Sequence, residues 1–454
     1  MRNFVPILIV ALALGAITCK EKVEEKGKKE ERSAQKPSSR VIADSSRYVV
    51  ILKDEPLVRD LSLVNKDPDY VDSVRNKKID DIQAFCDFYD IDSAKIFVDV
   101  VVAVVANMRK SKADSVRTDV RVQSVTVDVI MEGKPIQQGK PIQQGKPIQQ
   151  DEETGITEDW GLSPIGTCLT SCAVTRAGGV VPDGAEKSAV IWIVDTGIAD
   201  SHPDLNIETA LARNFVDGYT GTDDDNGHGT LVAGIAAARE IDWYGDGTYH
   251  ICAGVSAGAK VVPIKVLDSQ GYGNWSDIIE ALNYIVGLTA RKDDVINLSL
   301  GDYPVPGCVT AVPDMKSILE SAALKHFVVM AAGNNSGDSN ESLPGCISIP
   351  GPVEKNLFTI GAVDCNVVCA PYSNFGTAVD FVAVGTNVFS TYDYEKATNR
   401  KLYRVVDGTS MAAAVISGVI HATGRKPKNG GKVECGPPQL GGPPKQKYDL
   451  GVHR

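Results

Sequence analysis

The sequence predicts an α/β fold: a doubly wound, mostly parallel sheet with helices on both faces, preceded by a small α+β sandwich. Two observations predict the sheet. Residues 190–194, 261–267, 295–300 and 327–332 are short apolar runs, while residues 230–239, 276–286 and 315–325 between them repeat apolar positions at helical spacing. Strands that alternate with helices build parallel sheets, whose strands stay apolar throughout because both faces are covered. A third observation predicts the sandwich. Residues 48–52 read as a buried strand, and Val71, Val74, Ile79, Ile82, Phe85 and Cys86 then recur at helical spacing. Residues 96–108 supply one or two further strands, Ser111 caps a short helix to about residue 119, and Val120, Val122, Val125, Val127 and Val129 alternate as a last strand. Strand, helix, strand, strand, helix, strand describes a small two-layer unit.

Punctuation along the 454 residues sets the boundaries. The apolar run after Met1-Arg2-Asn3 ends at Cys19, so residues 1–19 read as a signal for export, too short to span a bilayer. The position of Cys19 also allows lipidation, and with it membrane anchoring. Residues 20–46 mix Lys, Glu, Ser, Gln and Pro with few apolar side chains and form a solvated tether. The sandwich occupies residues 47–130. Residues 131–154 hold three copies of Lys-Pro-Ile-Gln-Gln and form a linker open to cleavage. The sheet domain is expected over residues 155–425, and the Gly/Pro/Lys-rich residues 426–454 read as a tail. An exported protein at the cell envelope or beyond is the expected product.

Composition removes several classes. A net charge of −11 and a pI near 5.2 leave no clustered basic surface for nucleic acid. Ten cysteines in an exported chain point to an oxidising compartment, and Cys168 with Cys172, or Cys365 with Cys369, have the wrong spacing for zinc and no His beside them. Structural disulfides are expected; their connectivity stays open. The acidic run Asp223-Asp224-Asp225 could suggest calcium but reads as a solvated turn, so no metal is assigned.

Residues capable of acyl transfer lie far apart in the sheet domain. Asp195 ends the run 190–194, His228 stands in Asn226-Gly227-His228-Gly229-Thr230 before a helix of small residues, and Ser410 stands in Gly408-Thr409-Ser410-Met411-Ala412-Ala413-Ala414. Alone, each has a plain structural reading: a turn Asp, a packing His, a helix-capping Ser. Together they supply a hydroxyl, an imidazole to take its proton, and a carboxylate to hold the imidazole.

In these motifs, and in Ala331-Ala332-Gly333-Asn334, the chain resembles the subtilisin-like serine proteases, or subtilases, over roughly residues 155–425. The resemblance implies a subtilisin-like sheet domain without a required cofactor, hydrolysing peptide bonds through Asp195, His228 and Ser410. Asn334 and the Ser410 N–H would form the oxyanion hole. Ser299-Leu300-Gly301 and Gly271-Tyr272-Gly273 would hold an extended peptide between them, Trp275 would border an apolar subsite, and Gly333 joins this substrate-binding set. Residues 47–130 resemble the inhibitory propeptide of the family, so that the chain inhibits itself until cut within residues 131–154. A monomer acting on polypeptides is expected. Leu231, where the family often has a second His, and Ala414, where it usually has Pro, depart from the pattern at positions that transfer no proton. An inactive, peptide-binding relative is the alternative.

Two look-alikes fail on context. Asp195-Thr196-Gly197 matches an aspartic protease motif, but no second copy supplies the partner carboxylate. Gly254-Val255-Ser256-Ala257-Gly258 matches an esterase elbow but precedes a strand instead of following one.

Overall fold

The computed structural model describes residues 45–54, 68–91, 95–99 and 101–133, the pairs 137–138 and 142–143, and most of 163–453. Cys19, the signal and the tether lie outside these residues. Contacts divide the chain into two compact units, one of residues up to Val127 apart from 56–59 and 99–101, the other holding those segments and everything from Asp128.

The first unit is a four-stranded antiparallel sheet in the order Lys95–Phe97, Ala103–Arg109, Ser45–Leu52, Val122–Val127. Helices Pro68–Tyr89 and Lys110–Arg117 complete the expected order of elements. The core forms because one face of each helix is apolar: Ile82, Phe85 and Cys86 from the first, Ala113 and Val116 from the second, with Tyr48 to Leu52 from the sheet. Two local expectations fail. The short helix begins at Lys110 with no side-chain cap, so Ser111 is not its cap. Val120 is 84% exposed, because Asp119 closes a turn onto Arg121 and the last strand starts only at Val122.

The second unit is built on a ten-stranded sheet. Its main path runs Asn206–Ile207, Lys260–Lys265, Ile191–Asp195, Val295–Leu298, Phe327–Ala331, Leu357–Val363, Phe381–Val384, Gln446–Val452, Lys428–Cys435. Every pairing along it is parallel except the last, so the doubly wound expectation holds. The helix Thr409–Thr423 is apolar on every side and buried from Thr409 to His421, which is why it lies within the unit and not on its surface.

One boundary is corrected. The expected tail, residues 426–454, contains two strands, and Gln446–Val452 pairs with Phe381–Val384 as part of the main sheet. Composition hides this, because Lys428–Cys435 is exposed at most positions and is shaped by its partner strand more than by apolar alternation. The disulfide Cys369–Cys435 ties that hairpin to the body, a second joins Cys308 to Cys346, and Cys365 is also disulfide-bonded. Cys168 and Cys252 lie outside the described residues. Among the described residues, no helix is long and apolar enough to cross a membrane.

Candidate active site

Asp195 is the last residue of the strand Ile191–Asp195 and is fully buried. Its Oδ1 accepts from His228 Nδ1 and from the Thr196 N–H, both at 2.7 Å. His228 opens the helix His228–Ala237, and that helix comes close to the Asp195 turn because Gly229 carries no side chain: a Cβ there would lie 2.0 Å from the Gly197 oxygen. His228 Nε2 is buried with no hydrogen-bond partner among the described residues. Burial disfavours the imidazolium, yet the charge and hydrogen bond of Asp195, with a further contribution from Asp224, outweigh it. The His228 pKa therefore stands above its ordinary value.

Ser410 is the second residue of the helix Thr409–Thr423. Its hydroxyl donates to the Ser299 carbonyl at 3.2 Å, and the Ser299 hydroxyl donates to the Ser410 carbonyl at 2.9 Å. The Ser410–His228 hydrogen bond that proton transfer uses is thus not formed in this conformation, as is common before substrate tightens such a site. The helix N-terminus points its free N–H groups and positive dipole end at this place.

Asn334 follows the strand Phe327–Ala331, and its Oδ1 accepts from both the N–H and the hydroxyl of Thr409, each at 2.8 Å. Since Thr409 N–H can only donate, the amide oxygen must face Thr409, and Nδ2 is left as a donor on the other side. Gly333 takes part too, its N–H donating to Thr409 Oγ1 at 3.1 Å. A residue the sequence does not reveal, Asn374, fixes this loop: Oδ1 accepts from Asn335 and Gly337 N–H, and Nδ2 donates to the Ala332 carbonyl. Only a side-chain amide, donor and acceptor at once, serves all three.

The two expected peptide-binding segments flank an occupied groove. Residues Ile130–Glu132 form a strand antiparallel to Tyr272–Asn274, pairing Glu132 with Tyr272, Met131 with Gly273 and Ile130 with Asn274. On the other side, Glu132 and Gly301 exchange two hydrogen bonds of 2.8 Å, and Gly133 N–H donates to the Gly271 carbonyl at 2.9 Å. A side chain next would crowd the site: a Cβ on Gly133 would lie 2.4 Å from Leu267 Cδ1 and 3.6 Å from His228 Nδ1. Met131 is fully buried, and the N–H of the buried Trp275 donates to the Val129 carbonyl. Ser299 and Leu300 are buried beneath this edge. Leu231 and Ala414, the two departures, are both packed in the hydrophobic core.

Asp223 and Asp225 are exposed, as a solvated turn expects, but the run is tied down by specific partners and Asp224 is half-buried. Asp225 pairs with buried Lys265 Nζ at 2.7 Å, Asp223 accepts from the Asp200 N–H, and Asp224 accepts from five donors described below. No group of three or more His, Cys, Asp or Glu among the described residues is arranged to hold a metal. Ser256 of the esterase-like motif is buried, hydrogen-bonded to His421 Nδ1 at 2.8 Å.

A sequence model of the subtilase family matches residues 186–426, more than half of the chain. The chain is 36% identical over 228 residues to subtilisin DY of Bacillus licheniformis, covering 50% of this chain and 73% of that protein. It is 32% identical over 251 residues to thermitase of Thermoactinomyces vulgaris, covering 54% and 80% respectively. With a thermophilic serine proteinase of a Bacillus strain it shares 35% identity over 229 residues, only half the length of that protein and half of this chain. A crystal structure of a cold-adapted subtilisin-like serine proteinase is also similar, at a TM-score of 0.41 and 26% identity over 52% of this chain and 76% of the other. The family match and these relatives define a serine endopeptidase, and the fold is α/β. The chain belongs to the subtilase family.

Proposed function

We propose that the protein hydrolyses peptide bonds of extended polypeptides through an acyl-enzyme on Ser410, and that it is made as a self-processing zymogen and exported. The chain's own strand Ile130–Glu132 in the groove, with Gly133 following it beside His228, carries this reading. A polypeptide already lies where a substrate would. Main-chain hydrogen bonds, donated to the Gly271 carbonyl and exchanged with Gly301, hold it with little demand on its side chains.

Each residue has a role in this scheme. His228 Nε2 takes the Ser410 hydroxyl proton as Oγ bonds to the substrate carbonyl carbon, while Asp195 holds the Nδ1–H tautomer and stabilises the imidazolium. The carbonyl oxygen becomes an oxyanion between the Ser410 N–H and Asn334 Nδ2. The C–N bond then breaks as the imidazolium gives its proton to the leaving amine, and water, activated by the same imidazole, releases the acid and restores Ser410. No metal enters these steps.

Self-processing is supported by the pairings on either side of the first repeat, Glu132 with Gly301 and Gln137 with Asp407, a residue three positions before Ser410. Residues 134–136, between them, lie outside the described residues. Residues 47–130 would act as the inhibitor, residues 1–19 would direct export, and lipidated Cys19 would tether the product, a monomer, to the envelope.

The test uses the full chain and its Ser410→Ala variant. The wild type should lose its N-terminal region on incubation and then take a fluorophosphonate label on Ser410; the variant should stay at full length and unlabelled. A wild type that neither shortens nor labels would leave the groove a peptide-binding site without catalysis.

A further inference from the structure

We propose that Asp224, a half-buried carboxylate behind the Asp195–His228 pair, is a positioning residue of the site, holding the Asp195 turn and the His228 helix together and stabilising the charged imidazole. This goes beyond the triad and rests on the endopeptidase reading above.

Asp224 gathers donors from both structures that carry the pair. Oδ1 accepts from the Thr196 hydroxyl at 2.8 Å, from Gly227 N–H at 2.7 Å and from Asn226 N–H at 3.1 Å. Oδ2 accepts from Thr230 N–H at 2.9 Å and from the Thr230 hydroxyl at 2.6 Å. Thr196 follows Asp195 directly, and Thr230 follows His228 by two residues. One carboxylate therefore spans the strand end and the helix start.

The two hydroxyls show that Asp224 acts as an anion. Thr196 Oγ1 accepts from the Gly229 N–H at 2.9 Å, and Thr230 Oγ1 accepts from the Ala199 N–H at 2.8 Å. Backbone N–H groups can only donate, so each hydroxyl, facing one, passes its own proton on towards Asp224. All five contacts are then donated to the carboxylate, and an ionised Asp, acceptor at both oxygens, satisfies them. Each relay also crosses between structures, from the helix residue Gly229 through the strand-end Thr196, and from the turn residue Ala199 through the helix residue Thr230.

An amide of the same shape cannot replace this arrangement. In Asp224→Asn one oxygen becomes an NH2 group that meets donors on the Thr230 or Thr196 side. The negative charge near His228 also disappears. The other charged or polar groups around the imidazole stay: Asp195 on its strand, Ser410 on its helix, Lys265 between Thr196 O and Asp225, and Tyr392 against Gly227 with Arg404 over its ring. Burial raises the Asp224 pKa above its ordinary value, against the lowering by its hydrogen bonds to Thr230, Gly227 and Thr196, and the Asp224 charge raises that of His228.

The experiment measures kcat and KM on a peptide amide against pH for wild type, Asp224→Asn and Thr196→Val. Variant chains are processed in trans by wild-type enzyme, whose own activity is subtracted. Neutral His228 is the working base, so activity rises with pH through its pKa. Losing the Asp224 charge should move that acid limb to lower pH and reduce kcat at least tenfold, with KM within twofold. Thr196→Val, which keeps the charge but cuts one relay, should reduce kcat without moving the limb. Should Asp224→Asn fail to fold, an unchanged kcat in Thr196→Val overturns the proposal and a reduced one supports it. A folded Asp224→Asn with an unmoved limb and kcat within twofold overturns it outright. A wild type without any peptidase activity sinks the endopeptidase reading instead, which the Ser410 labelling reports separately.

Discussion

Thr409 grips the oxygen of the Asn334 amide with two hydrogen bonds, from its N–H and its hydroxyl, each 2.8 Å long. The residue just before the proposed nucleophile thereby sets which end of Asn334 faces the developing oxyanion. Loss of an oxyanion donor costs about 3 kcal/mol of transition-state stabilisation, or a factor of about 100 in kcat. Asn334→Ala should show that loss with KM little changed. Thr409→Val keeps the backbone donor that orients the amide and removes only the hydroxyl contact, so its loss should be smaller, several-fold. Equal and negligible effects of the two substitutions on kcat would refute the role given to Asn334.

The C-terminal hairpin invites a stability prediction. Cys369–Cys435 closes 66 residues of chain and joins the strand Lys428–Cys435 to the body of the second unit. Removing a cross-link over that separation costs about 4 kcal/mol in the chain-entropy account. Cys369→Ser with Cys435→Ser should lower the thermal midpoint and expose the C-terminus to proteolysis first. A midpoint unchanged within a degree would mean that the hairpin is held by its strand pairing alone.

Legibility in the sequence followed the range of the interactions. Residues 190–194 and 295–298 announce themselves as strands because burial on both faces demands unbroken apolar runs. Asp195, His228, Ser410 and Asn334 could be picked out because their short motifs place them at strand ends and helix starts. Lys428–Cys435 could not, since its partner strand and a disulfide from residue 369 stabilise it. Asp223, Asp224 and Asp225 look alike in sequence. What separates them is Thr196 and Thr230 closing over the middle one, and Lys265, from a neighbouring strand, reaching Asp225. Asn374 is hidden for the same reason: its partners lie some 40 residues upstream.

His326 predicts acid sensitivity. Both of its ring nitrogens are buried without hydrogen-bond partners among the described residues, and burial, with a smaller push from Lys325, lowers its pKa to about 4. The unfolded chain binds a proton there below about pH 6.5 while the folded one refuses it. Its full contribution is therefore present above pH 6.5 and is lost as the pH falls towards 4, by about 3 kcal/mol in all. Denaturant unfolding between pH 7 and 4 should show that decline, and His326→Leu should flatten it. A variant as acid-sensitive as the wild type would remove His326 from the explanation.

The first bond after Gly133 that involves a proline joins Lys134 to Pro135. A proline nitrogen carries no hydrogen, and its ring carbon takes that place beside the leaving nitrogen, where His228 must deliver a proton. Cleavage there should be slow, so that residues 130–133 stay in the groove long after folding and keep the site covered. Pro135→Ala restores an ordinary secondary amide without altering Gly133, whose bare Cα lets the strand pass Leu267. The variant should self-process several-fold faster than the wild type, and sequencing should find the substituted position 135 at the new N-terminus. Gly133→Val should act in the opposite sense on binding, because its side chain collides with Leu267 and lifts the strand away from His228. If the Pro135→Ala chain matures no faster and is cut in a later repeat, the Lys134–Pro135 bond is not the one cut and the persistence of the covering strand needs another cause.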